Sequence, residues 1–151
     1  MTTDTRVASL WRPGVTLELL RDRMRRTLAE HVGIELTEMG PDFLAGTMPV
    51  DHRTCQPMRL LHGGASVVLA ETLGSLGANA ANSDTSRRFV GQEINANHLR
   101  PVHEGAKVTG VARPVHIGKS SQVWSIEIRN ERGQMTCISR ITLAAIAAPV
   151  A

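Results

Sequence analysis

The segment from Gly64 to Ala81 dictates what can be built around it. Val67, Val68, Leu69, Ala70, Leu73, Leu76, Ala78 and Ala80 fill it with small and aliphatic side chains. A helix apolar on nearly every side has no face to offer water, so it is buried. The rest of the chain reads as short strands. Ile34 to Met39 and Phe43 to Val50 come before the helix; Phe89 to Leu99, Ala106 to His116, Gln122 to Asn130 and Gln134 to Ala147 follow it. The segment from Gln122 alternates cleanly, with Trp124, Ile126 and Ile128 set against Ser125, Glu127 and Arg129. Turn signals at Gly40-Pro41-Asp42, Gly118-Lys119 and Asn130 to Gly133 separate the strands. Two strands, one buried helix and four strands is an α+β order. Its simplest packing is an antiparallel sheet curled around the helix.

No repeat or composition break divides the 151 residues, which read as one domain. Residues 1–14 look like a loose lead. Thr16 is a fitting N-cap for a first helix, with Glu18 in its first turn, and Gly33 closes the helical region. Leu17, Leu20, Met24 and Leu28 recur at three and four along it. Its arginines, Arg21, Arg23, Arg25 and Arg26, read as the solvated face of that amphipathic helix. No nucleic-acid reading motif accompanies them, and no nucleic-acid partner is expected. Aromatic residues make up only 3%, with no Tyr, which removes the stacking platforms of a single-strand binder.

A net charge of +3 suits a small anionic partner better than DNA. No apolar run reaches the roughly 18 residues of a membrane span, and Met1 to Leu10 lacks a signal-peptide stretch. A cytoplasmic protein with no membrane partner is expected. Cys55 and Cys137 form no CxxC and read as reduced thiols, with no metal site.

The buried helix carries a polar stripe. Glu71, Ser75 and Asn79 fall at successive i, i+4 positions and share a face with Val68, while Leu69, Leu73, Leu76 and Ala80 point toward the sheet. A carboxylate there is costly unless it is paired, protonated or used. Glu71 is therefore either a solvent-facing or arginine-paired residue, or a carboxylate of raised pKa at a substrate entry. At the start of the same helix, Gly63 and Gly64 leave bare N–H groups where the helix dipole favours an oxygen gaining negative charge. That is half of an oxyanion hole. His62 is either a cap or a substrate-orienting group, and Gln56 is a neutral donor with no signal of its own.

Helix geometry keeps these two features apart. Gly63 and Glu71 are eight positions apart, about 12 Å along an axis. A base and its oxyanion donor both need to lie about 3 Å from one carbonyl group. If both act, they come from different subunits around a two-fold axis, and a homodimer is the minimum assembly.

The run Gln56-Pro-Met-Arg-Leu-Leu-His-Gly-Gly-Ala-Ser-Val-Val-Leu-Ala-Glu71, followed by Gly74-Ser75, resembles the hotdog-fold acyl-CoA thioesterases. It is most similar to their 4-hydroxybenzoyl-CoA and phenylacetate-pathway branch, nearest the 1,4-dihydroxy-2-naphthoyl-CoA hydrolases. Val90 to His98, Pro114 to Gly118 and Gln122 to Ile128 extend the likeness, which covers Ile34 to the C-terminus and leaves the arginine-rich helix outside.

The resemblance implies a hotdog sheet, dimers and usually homotetramers, and thioester hydrolysis with Glu71 as nucleophile or general base. Gly63 would polarise the carbonyl, assisted by Gln56 and His62, and Ser75 would place the water or the acyl ring. CoA, part of the substrate and the only cofactor-like group, would bind Gly91, His98, Leu99 and Arg100. The loop His116, Ile117, Gly118, Lys119, Ser120 and Ser121 completes that implied binding region, with Arg87 and Arg88 added by charge. An aromatic acyl group is implied by the likeness alone.

A thioester suits a carboxylate with an oxyanion donor, because its carbonyl is poorly stabilised and thiolate leaves readily. No GxSxG elbow is present, against an α/β-hydrolase. The alternatives are a proofreading thioesterase on acyl carrier proteins and a non-catalytic acyl-CoA-binding protein.

Overall fold

The computed structural model describes residues 9–148. The buried helix, α3 (Gly63–Ala81), reaches the sheet through its glycines. A Cβ at Gly74 would stand 2.6 Å from Cγ2 of Ile141, and one at Gly77 would stand 2.8 Å from the Trp124 ring. Helix and sheet therefore meet more closely than side chains would allow, and Leu69, Leu73 and Ala80 close the interface as their phase predicts, whereas Leu76 lines the cleft beside Glu71 and Ser75 instead.

The sheet comprises β1 (Glu35–Met39), β2 (Leu44–Pro49), β3 (Arg87–His98), β4 (Lys107–Ile117), β5 (Ser121–Asn130) and β6 (Met135–Ala147). Its order is β1-β2-β4-β5-β6-β3, antiparallel throughout, and α3 packs across it. This is the α+β hotdog architecture expected. All six strands occur where the alternation places them, within a residue or two. On β5, Trp124, Ile126 and Ile128 are wholly buried. Asn79 ties α3 to β3: its side chain accepts from the Phe89 N–H at 3.0 Å and donates to the Phe89 carbonyl at 2.8 Å. One member of the polar stripe thus has a structural task.

The first helical region differs from expectation in being two helices, α1 (Leu17–Arg23) and α2 (Leu28–His31). Arg26 adopts φ 59°, a left-handed conformation that stops a helix, and Thr27 Oγ1 donates to the Met24 carbonyl at 2.6 Å. The flanking predictions hold. Thr16 accepts from Leu19 N–H at 3.1 Å, and Gly33 ends the region at φ 77°.

Nor are residues 9–14 loose, while residues 1–8 lie outside the described residues. Trp11 Nε1 donates to the Gly40 carbonyl, and its ring stacks on Trp124 with centroids 6.2 Å apart. Both tryptophans are spent on anchoring this lead. No helix among the described residues is long and apolar enough to cross a membrane.

Candidate active site

Glu71 lies at mid-helix on α3, half-buried. Burial pushes its carboxyl pKa above the ordinary carboxylate value, and the Ser75 hydroxyl, donating to Oε1 at 3.4 Å, partly opposes that shift. No arginine pairs with it among the described residues, so the carboxylate is not neutralised by an ion pair, and it opens onto a surface cleft. Gly91 of β3 makes its room: a Cβ there would fall on Glu71 Oε1.

At the N-terminus of α3, His62 is the N-cap. Its Nδ1 accepts from the Gly64 N–H at 2.8 Å, which places the neutral ring's proton on Nε2. Gly63 N–H has no acceptor among the described residues. His98, at the end of β3, packs on it so closely that a Cβ at Gly63 would lie 2.7 Å from Nε2. A bare N–H in a glycine-lined recess at a helix start can hold an oxyanion.

These two elements line separate clefts with no residue in common. One, of about 300 Å³, holds Gln56, Gly63, His98, Leu99 and Arg100. The other, of about 290 Å³, holds Glu71 and Ser75 beneath residues of α1 and α2. A larger cleft of about 510 Å³ between α1 and β1 contains none of the candidate residues.

Within its cleft, Gln56 turns its side-chain oxygen back to the Met58 N–H. Arg100 donates to the Met135 carbonyl at 2.7 Å, and Leu99 N–H to Thr136 at 2.8 Å. The loop His116 to Ser121 lies at the far end of the β3–β6 ladder. There the Arg87 guanidinium donates to the Lys119 carbonyl at 3.2 Å, Ala145 N–H donates to Ser120, and the His116 ring covers Gly118. The residues expected to bind CoA thus fall into two groups in one chain. His98 to Arg100 sit by Gly63, and Gly91 with the 116–121 loop sits toward Glu71.

Three features were not foreseen. Ser66 is buried in the Gly63 cleft. Gly91 sits under Glu71. Arg23 joins Met24, Thr27 and Leu28 in walling the Glu71 cleft, where the sequence placed the arginines on a solvated face. The apolar spacing from Leu20 to Met24 was the available signal for that packing.

A thioesterase superfamily family model matches residues 58–137. The 1,4-dihydroxy-2-naphthoyl-CoA hydrolase of Escherichia coli strain K12 is 47% identical over 135 residues, 89% of this chain and 98% of its own. The proofreading thioesterase EntH of Cronobacter turicensis is 49% identical over 135 residues, covering 89% of this chain and 97% of its own. These matches are longer than the stretch from Ile34 to the C-terminus, so the likeness reaches into the arginine-rich region first set outside it. The crystal structure of a Haemophilus influenzae thioesterase superposes with a TM-score of 0.86 at 48% identity, covering 91% of this chain and 95% of that one.

Proposed function

Since this chain belongs to the thioesterase superfamily and is a thioester hydrolase, we propose that it cleaves acyl-CoA thioesters at a site shared by two subunits. The observation that carries this reading is the separation of the desolvated Glu71 carboxylate and the bare Gly63 N–H into two clefts.

The edge strand supplies the way to join them. β3 pairs only with β6 among the described residues, which leaves its other side open to a second copy. Glu71 sits over Gly91, and Gly63 sits beside His98. Antiparallel pairing of β3 with its copy about an axis at Asn95, with the bulge between Gly91 and Glu93 absorbing one residue, lays Gly91 opposite His98 of the partner subunit. Glu71 then faces Gly63 of the partner subunit. The same operation unites the two groups of CoA-binding candidates. A second association of such dimers would give a tetramer.

The thioester carbonyl oxygen lies at the Gly63 N–H, with Gln56 and His62 on that side. Glu71 either takes a proton from a water that adds to the carbonyl carbon, or adds to the carbon itself. Ser75 steadies the carboxylate oxygen. The charge formed on the carbonyl oxygen is held by the N–H at the helix start. Collapse expels CoA thiolate, which is protonated; it leaves the free acid when water has added, and when Glu71 has added it leaves an acyl–Glu71 anhydride that a water then hydrolyses to the acid and the restored carboxylate. One turnover in heavy-oxygen water tests the routes, because label in the Glu71 carboxylate arises only through an acyl–Glu71 anhydride.

A second reading, hydrolysis of wrongly acylated carrier proteins, is favoured by the likeness to EntH. Aromatic acyl groups are favoured by the likeness to the naphthoyl-CoA hydrolase. Thiol release over a panel of aryl- and alkyl-CoA esters and acylated carrier proteins tests all of this, with Glu71→Ala beside the unaltered protein. The variant is expected to lose about 10²-fold or more in kcat. Unchanged turnover would remove Glu71 from the reaction, and binding without hydrolysis by the unaltered protein would make this an acyl-CoA-binding protein.

A further inference from the structure

We propose that Arg23 determines acyl specificity, selecting acyl-CoA thioesters whose acyl group ends in a carboxylate. The inference rests on the site described above, with Glu71 at the reacting carbonyl. Arg23 closes α1 and is the one positive group lining the Glu71 cleft among the described residues. Met24, Leu28 and Leu76 give the cleft most of its apolar surface, beside the hydroxyls of Thr27, Thr72 and Ser75, and Leu28 is left 58% exposed. No aromatic side chain lines the cleft among the described residues of one subunit.

The guanidinium groups two residues to either side are already engaged. Arg21 donates to the Leu36 carbonyl at 2.8 Å, and Arg25 pairs with Asp22 at 3.0 Å. The Arg23 guanidinium makes no hydrogen bond or ion pair among the described residues, and it makes none with Glu71 although both line one cleft. The two charged groups are therefore unpaired within one cleft whose surface is mostly apolar. In the binding mode proposed, an acyl group whose carbonyl lies at Glu71 runs along that surface, and its far end reaches the guanidinium. A planar five-donor fork at that point matches a carboxylate in bidentate fashion and offers nothing to a methyl group.

The test compares kcat/KM for succinyl-, glutaryl- and adipyl-CoA with butyryl-, pentanoyl- and hexanoyl-CoA, and for 4-carboxybenzoyl-CoA with its 4-methyl and 4-hydroxy counterparts. At least one carboxylate-ended ester is expected to exceed its matched neutral ester about tenfold, the scale of one charge-assisted hydrogen bond. In Arg23→Met that ratio is expected to fall to near one, and in Arg23→Lys to recover in part. Each ratio is taken within one enzyme, so a change in fold stability does not affect it. No carboxylate advantage at any length, an advantage kept by Arg23→Met, or a stronger preference for the 4-hydroxy ester would each overturn the proposal. Failure of the underlying site reads differently: no ester of either kind is hydrolysed, or Glu71→Ala is as active as the unaltered protein.

Discussion

Gly91 of β3 lies directly beneath the Glu71 carboxylate, leaving no space for a Cβ between strand and acid. The glycine is exposed and its backbone is outside the left-handed region, so neither core packing nor an unusual φ demands it. What demands it is the room Glu71 occupies. Gly91→Ala is expected to push the carboxylate aside and lower kcat by about 10²-fold or more. The melting temperature should move by no more than about 4 °C, the shift that about 1 kcal/mol gives at this size. Kinetics and thermal unfolding on one preparation separate the two effects. Activity near that of the unaltered protein would show that Glu71 does not need its observed position.

The raised Glu71 pKa sets the direction of the pH dependence. Reaction requires the ionised form, so the acid limb of kcat/KM should lie above the ordinary carboxylate range. The Ser75 hydrogen bond stabilises the ionised form and lowers the pKa. Ser75→Ala removes it, so the acid limb should move to higher pH. Stability runs with opposite sign to activity. A carboxyl with a raised folded-state pKa favours the fold below its unfolded pKa, and that contribution is lost as pH rises through the folded value. Glu71→Gln should therefore melt higher than the unaltered protein at neutral pH, with the difference shrinking below the ordinary glutamate pKa. An acid limb left in place by Ser75→Ala would detach it from Glu71.

Gly63 offers a direct test of its N–H. Proline is tolerated at the first position of a helix, and the preceding His62 already has the extended backbone, φ −66° and ψ 132°, that a following proline requires. Gly63→Pro deletes the N–H, while Gly63→Ala keeps it and brings the same Cβ against His98. Both variants should suffer whatever the displaced His98 costs. Only the proline should lose a further 10² to 10³-fold or so in kcat, the scale of one oxyanion donor. Equal activity of the two would acquit the N–H.

Much of this site could be read before any coordinates. The apolar α3 and its polar stripe follow from the 3.6-residue period, and the rise per residue alone keeps Gly63 and Glu71 apart. What escaped depends on contacts distant in sequence. The break at Arg26 carries no glycine or proline to announce it, and Thr27 does the work by bonding back to Met24. Arg23 reads as a surface residue until α1 and α2 are seen folded over α3. Gly91 reads as one more glycine in a strand until the α3–β3 alignment sets it under a carboxylate. The lead through Trp11 was misread because the Trp124 ring that holds it lies over a hundred residues away along the chain.

Whether one site needs two chains can be decided by mixing dead subunits. Glu71→Ala retains Gly63, and Gly63→Pro retains Glu71. A heterodimer of the two therefore contains one site with both groups intact and one site with neither. Random assortment from an equal mixture makes about half of the dimers heterodimers, each with one working site of its two. Co-expressed or co-refolded variants should therefore recover to about a quarter of the unaltered activity, although each alone is nearly inactive. If a single chain supplied both groups, every site in the mixture would carry one lesion and no activity would return. Different affinity tags on the two variants, captured one after the other, check that exchange has occurred, and full activity in a strictly monomeric fraction would defeat the shared site outright.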